Sequence, residues 1–192
     1  MFFVLLINLY LFMRKNWLIT NLNKKYFLKA GNKTFGCQIG SGGLKKAAKK
    51  VEGDKTTPMG KWYFKSVYYR SDRVLRPKFK KKNILKTNQI TRHCGWCDDI
   101  KSHNYNKYIK INNLHSLKTN YEKLWREDEA YDIIIVISYN IRPTIINKGS
   151  AIFIHCSFSD NRNTAGCIAL KKKNLIYLIK NLKDTTFIKI QK

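Results

Sequence analysis

The chain has 192 residues and a formal net charge of +26, from 38 Lys and Arg against 12 Asp and Glu. A hydrophobic fraction of 44% with 13% aromatics excludes a disordered polyelectrolyte and suffices for one domain with its own core. Five cysteines, an odd number without the dense spacing of a disulfide scaffold, leave at least one thiol free unless two chains are joined.

The first twelve residues, MFFVLLINLYLF, are almost wholly apolar and run into MRKN. They fall short of the roughly twenty residues of a membrane-crossing helix. They also lack the charged start and the small-residue cleavage site of a signal peptide. Residues 1–12 therefore read as an extension of one of three kinds: an atypical signal or anchor, a buried strand, or a start-codon artefact. The last, with Met13 as the true first residue, is preferred, and one domain is expected over 13–192.

Strands with aromatic and branched residues are expected at 16–20, 25–30 and 33–40, with NLNK and GNK as turns between them. Residues 40–62, with five glycines and one proline, read as a loop. A strand follows at 62–69, then the basic stretch 70–82, a short strand at 106–111 and a short helix over 120–128. YDIIIVISYN (131–140) is apolar enough for a central strand, and SAIFIHC (150–156) is another. Leu175, Ile176, Leu178, Ile179 and Leu182 share one face at helical spacing over 174–182, and TFIKI (186–190) closes the chain as a strand. The pattern has no βαβ rhythm, so the fold class is mainly β, α+β at the margins.

Four groups of residues carry candidate chemistry. His155 stands at the end of one strand, and Cys167 follows the small-residue turn Thr164-Ala165-Gly166. A thiol attacks as thiolate, an imidazole can take its proton, and a glycine turn can aim backbone N–H groups at an oxyanion. The bland reading is a buried histidine and an inert cysteine. Cys94-Gly95-Trp96-Cys97 has metal or redox spacing, but no second pair exists, only His93, His103 and His115 are near, and structural residues fit better. The basic, aromatic stretch 61–82 suits single-stranded nucleic acid, or more simply a strand with a solvated face. Glu52 and Asp54 can serve as acid and base, although a turn held by the Asp54 side chain is favoured. Lys, Asn and Ile share A/T-rich codons, so base composition explains part of the charge, while an anionic wall, membrane or nucleic acid would suit the rest.

Six stretches in order resemble the L,D-transpeptidase (YkuD-like) catalytic domain family. They are KKVEGDKTTPMGKW (49–62), YYRSDR (68–73), GWCDD (95–99), LWREDEAYDIIIVISYN (124–140), GSAIFIH (149–155) and TAGCIAL (164–170). They span nearly the whole chain after Met13. The resemblance implies a mixed β-sandwich with few short helices. It implies Cys167 as nucleophile, His155 as general base with a lowered thiol pKa, and the Cys156 backbone carbonyl orienting the imidazole. It further implies Gly166 in an oxyanion turn, and Thr164, Ala165 and Tyr139 as substrate contacts. The implied reaction is a 3–3 cross-link between peptidoglycan stem peptides through a thioester acyl-enzyme, with no metal and no organic cofactor. The implied setting is the cell envelope or periplasm, with contact to an anionic envelope surface, no nucleic acid partner and a monomeric chain. It is the cytoplasm if residues 1–12 are not an export signal. Two departures stand out. The commoner Ser/Thr-His-Gly-Cys motif is here Thr164-Ala165-Gly166-Cys167, without the second histidine, and the loop from His155 to Thr164 is short. An L,D-carboxypeptidase or amidase on the same acyl-enzyme, or a non-catalytic basic module for wall polymer or nucleic acid, are the alternatives.

Overall fold

The computed structural model describes residues 16–81, 84–111 and 119–192; the extension 1–12 and His115 lie outside them. Strands β1 (Trp17–Leu22), β2 (Lys25–Ala30) and β3 (Lys33–Cys37) form an antiparallel meander. Its first turn is Asn23-Lys24, both with positive φ, 50° and 61°. That backbone twist matches the twist of the strands it joins.

After β4 (Leu44–Lys46), the thirteen-residue β5 (Thr57–Tyr69) is the spine. Then come β6 (Lys86–Gln89), β7 (Cys94–Cys97), β8 (Tyr108–Lys110), β9 (Tyr121–Lys123) and β10 (Ile133–Ile137). The chain ends with β11 (Phe153–Cys156), β12 (Ile168–Leu170), helix α1 (Lys172–Lys180) and β13 (Phe187–Ile190). The ten-stranded sheet has the order β12-β11-β10-β5-β13-β1-β2-β3, with β4 and β6 also on β5. Its two ends meet. Gln38, just beyond β3, exchanges two 2.9 Å backbone hydrogen bonds with Ala169 of β12, and Gly40 bridges Thr164. The Thr164–Cys167 turn is thereby fixed in the seam.

Alternation along the apolar β10 splits the interior. Ile133, Ile135 and Ile137 face one core, and Ile134 and Val136 face the other. The first core is closed by α1 through Leu175, Leu178 and Ile179. Those positions follow the i, i+3, i+4 stripe, and burying each contributes about 1.5–3 kcal/mol. The second core, with Trp96, Tyr131 and Phe153, is roofed by a three-stranded sheet, β8-β7-β9.

The mainly β class holds, and so does the helix near 174–182, which begins two residues earlier. The helix expected over 120–128 does not form. Tyr121–Lys123 is β9, antiparallel to β7, and a single 3-10 turn follows at Glu129–Tyr131. An isolated helix of that length is marginal, while the same segment as a strand satisfies the β7 edge. Residues 40–62 are likewise more ordered than a loop, because they hold β4 and the first residues of β5.

Candidate active site

His155 is on β11, on the same face as Phe153 and opposite Ile154 and Cys156, which enter the first core. The expected division between His155 and the Cys156 side chain therefore follows strand alternation. His155 is 2% exposed and is held edge-on by the rings of Tyr131 (5.3 Å) and Phe158 (5.8 Å). Its Nδ1 lies 2.8 Å from the Cys156 carbonyl oxygen. A carbonyl only accepts, so Nδ1 carries the proton and Nε2 keeps its lone pair. Burial pushes the imidazole down to about 4, which keeps it neutral at pH 7.

Cys167 enters β12 from the turn. Its Sγ donates to the Ala151 carbonyl at 3.1 Å and accepts the Phe153 N–H at 3.3 Å. Burial pushes the thiol up to about 12. Burial at this site thus works against a preformed thiolate–imidazolium pair. Ala151 itself has a φ of 50°, and its N–H donates to Asn106 Oδ1 at 3.1 Å. A non-glycine residue in that region costs about 1 kcal/mol or more, and here it aims a carbonyl at the thiol.

The turn is locked by two hydroxyls. Thr164 Oγ1 accepts the Gly166 N–H (3.1 Å) and donates to the Cys167 carbonyl (2.7 Å). Thr57 Oγ1 accepts the Gly40 N–H (2.8 Å) and donates to the Gly166 carbonyl (2.8 Å). Gly166 has a φ of 138°, and a Cβ there would sit 3.0 Å from the Thr56 carbonyl oxygen, so glycine is required. Both polar backbone groups of Gly166 are thus occupied within the turn. The Cys167 amide has no hydrogen-bond partner among the described residues.

His155, Thr164, Ala165 and Cys167 line one cleft of about 540 Å³, so the structure brings these expected residues together. Tyr139 is not in its wall. That ring is buried edge-on against Trp62 at 5.0 Å, and its hydroxyl donates to the Lys148 carbonyl. Residues that the sequence did not single out line the cleft as well: Lys50, Asp98, Glu122, Arg126 and Tyr131. Lys50 was hidden among so many lysines; it is buried and pairs with Asp54 at 2.8 Å. Burial works against the Asp54 charge, but hydrogen bonds from Lys50 and from the Thr56 side chain and backbone hold its carboxyl below the usual range. Asp54 also accepts the Val51 N–H (3.1 Å), so it shapes the turn, as favoured from sequence. Glu52 accepts the Tyr105 hydroxyl. Cys94 and Cys97 are buried free thiols on β7, and no cluster of metal-binding side chains occurs among the described residues.

The family model of the L,D-transpeptidase catalytic domain, YkuD, matches residues 15–190. The chain belongs to that family. The crystal structure of Mycobacterium tuberculosis L,D-transpeptidase 1 is similar at 10% identity, with a TM-score of 0.39. The match covers 91% of this chain and 60% of that one. No curated protein matches the chain. Among the described residues of this L,D-transpeptidase domain, no helix is long and apolar enough to cross a membrane.

Proposed function

We propose that the chain is a cysteine-dependent peptidoglycan L,D-transpeptidase that forms 3–3 cross-links through a thioester acyl-enzyme. The observation that carries this reading is the meeting of Cys167 and a tautomer-fixed His155 in one cleft. The third residue of a donor stem presents its carbonyl to Sγ. As the S–C bond forms, the thiol proton passes to His155 Nε2, and the Cys167 N–H receives the oxyanion. The C–N bond to the terminal D-Ala then breaks, and the departing amine takes the proton from Nε2. The amine of a second stem attacks the thioester, gives its proton to Nε2, and releases the thiolate, which is reprotonated. With the thiol near 12 and the imidazole near 4, deprotonation accompanies attack rather than preceding it. Thr164 and Ala165 border the reacting carbonyl, and the Cys156 carbonyl keeps the imidazole in its productive tautomer.

The test is intact-mass analysis after incubation with a stem tetrapeptide, with and without an acceptor stem. A tripeptidyl adduct on Cys167 and a cross-linked dimer are expected, and Cys167→Ala should give neither. An adduct resolved only by water would make the protein an L,D-carboxypeptidase. No adduct on a folded chain would leave the basic binding module.

A further inference from the structure

A second groove, of about 640 Å³, runs along the seam and shares Asn163 with the catalytic cleft. One wall is the outer face of the β2–β3 hairpin. There Phe27 stands directly opposite Gly36, and a Cβ on Gly36 would meet no atom within 4 Å. The glycine thus leaves an open strip beside a half-buried aromatic ring.

Four lysines line the groove: Lys24 in the β1–β2 turn, Lys25 at the start of β2, and Lys171 and Lys173 at the start of α1. No carboxylate does, whereas Glu52, Asp98 and Glu122 all line the catalytic cleft. Gln38 Oε1 is buried at the groove without a hydrogen-bond partner. Helix α1 opens on consecutive lysines, with no acidic residue in its first turn and no side-chain cap. Lys172 among them is paired with Asp132 at 2.7 Å and Glu129 at 3.0 Å, while Lys171 and Lys173 line the groove, where the positive end of the helix favours an anion beside them.

From this combination we propose that the seam groove binds a glycan strand bearing acidic groups. The ring of Phe27 and the open strip beside it fit a sugar face, the amides of Gln38 and Asn163 fit hydroxyls, and the lysines fit the acids. Carboxylated and phosphorylated glycans share that chemistry. A strand held there passes alongside the catalytic cleft through Asn163. The inference goes beyond acyl transfer, and its test needs no turnover.

The experiment is fluorescence anisotropy of the full chain, near 0.15 M salt, with three labelled probes of matched charge: an oligogalacturonate, a poly(glucosyl phosphate) and inorganic polyphosphate. One of the two sugar polymers should bind at least about fivefold more tightly than polyphosphate, and the tighter one names the acid. Lys25→Gln with Lys173→Gln should weaken it about tenfold, against less than about twofold for Lys65→Gln with Lys189→Gln, which lie outside the groove. Gly36→Val, at a site with room for the side chain, should weaken the sugar polymer and spare polyphosphate. Equal binding of polyphosphate, equal losses in the two lysine pairs, or full sugar affinity in Gly36→Val each overturns the proposal.

Discussion

A proton on His155 would place a charge among Tyr131, Phe153 and Phe158, and burial holds the folded-state pKa near 4, against about 6.5 for an unfolded histidine. Between those values the unfolded chain binds more protons. The stabilisation is complete above about pH 6.5 and is lost as pH falls toward 4. His155→Gln removes the titration. Urea unfolding at pH 7 and at pH 4.5 should show the wild type losing about 2–3 kcal/mol more than the variant; equal losses would mean that the imidazole is not held neutral. The identity of this histidine was legible in the sequence, because FIHC is a strand whose neighbours alternate. Its neutral partner was not. Burial raises the Cys167 thiol, against the hydrogen bond from the Phe153 N–H, which lowers it, and that burial arises only when β11 and β12 lie side by side.

At the scale of elements, α1 and the start of β5 do different work. Helix α1 supplies burial, so Leu178→Ala should cost about 2–5 kcal/mol and leave acylation of Cys167 at its wild-type rate. Thr57 at the start of β5 holds the turn that leads into Cys167. Thr57→Val leaves the buried Gly40 N–H and Gly166 carbonyl without that hydroxyl, a cost of about 1–3 kcal/mol for each group left unpaired. It should also slow acylation under conditions where the variant is fully folded. Stopped-flow acylation beside urea melts separates the two, and a rate loss in Leu178→Ala equal to that in Thr57→Val would refute the division. Periodicity announced α1, since its apolar stripe is local. It could not announce β9, because NYEKLWRED has good helix formers and becomes a strand only where the β7 edge awaits a partner.

Over the whole molecule, the strand list was largely readable but the closure was not. Nothing local in KTFGCQIG says that Gln38 will pair with Ala169, 131 positions away by the difference of their numbers. Such distant pairings form late and at high entropic cost. The seam has a consequence for how the proposed activity would be lost. Cys156 is in the first core with α1, whereas the Cys167 turn is held by backbone hydrogen bonds to residues 38–41 just beyond β3, a local seam expected to open at lower cost than the core. Mild urea should therefore open the Cys167 turn before it unfolds the core. In a pulse of iodoacetamide at rising urea, Cys167 should be alkylated, and acyl transfer lost, at concentrations where Cys156 stays protected and the far-ultraviolet circular dichroism is still native. Simultaneous labelling of both thiols would show instead that the seam and the core melt as one. Where the seam opens first, a half-folded copy would keep its core while exposing Cys167, and any chemistry that depends on the Thr164–Cys167 turn would be lost with the turn.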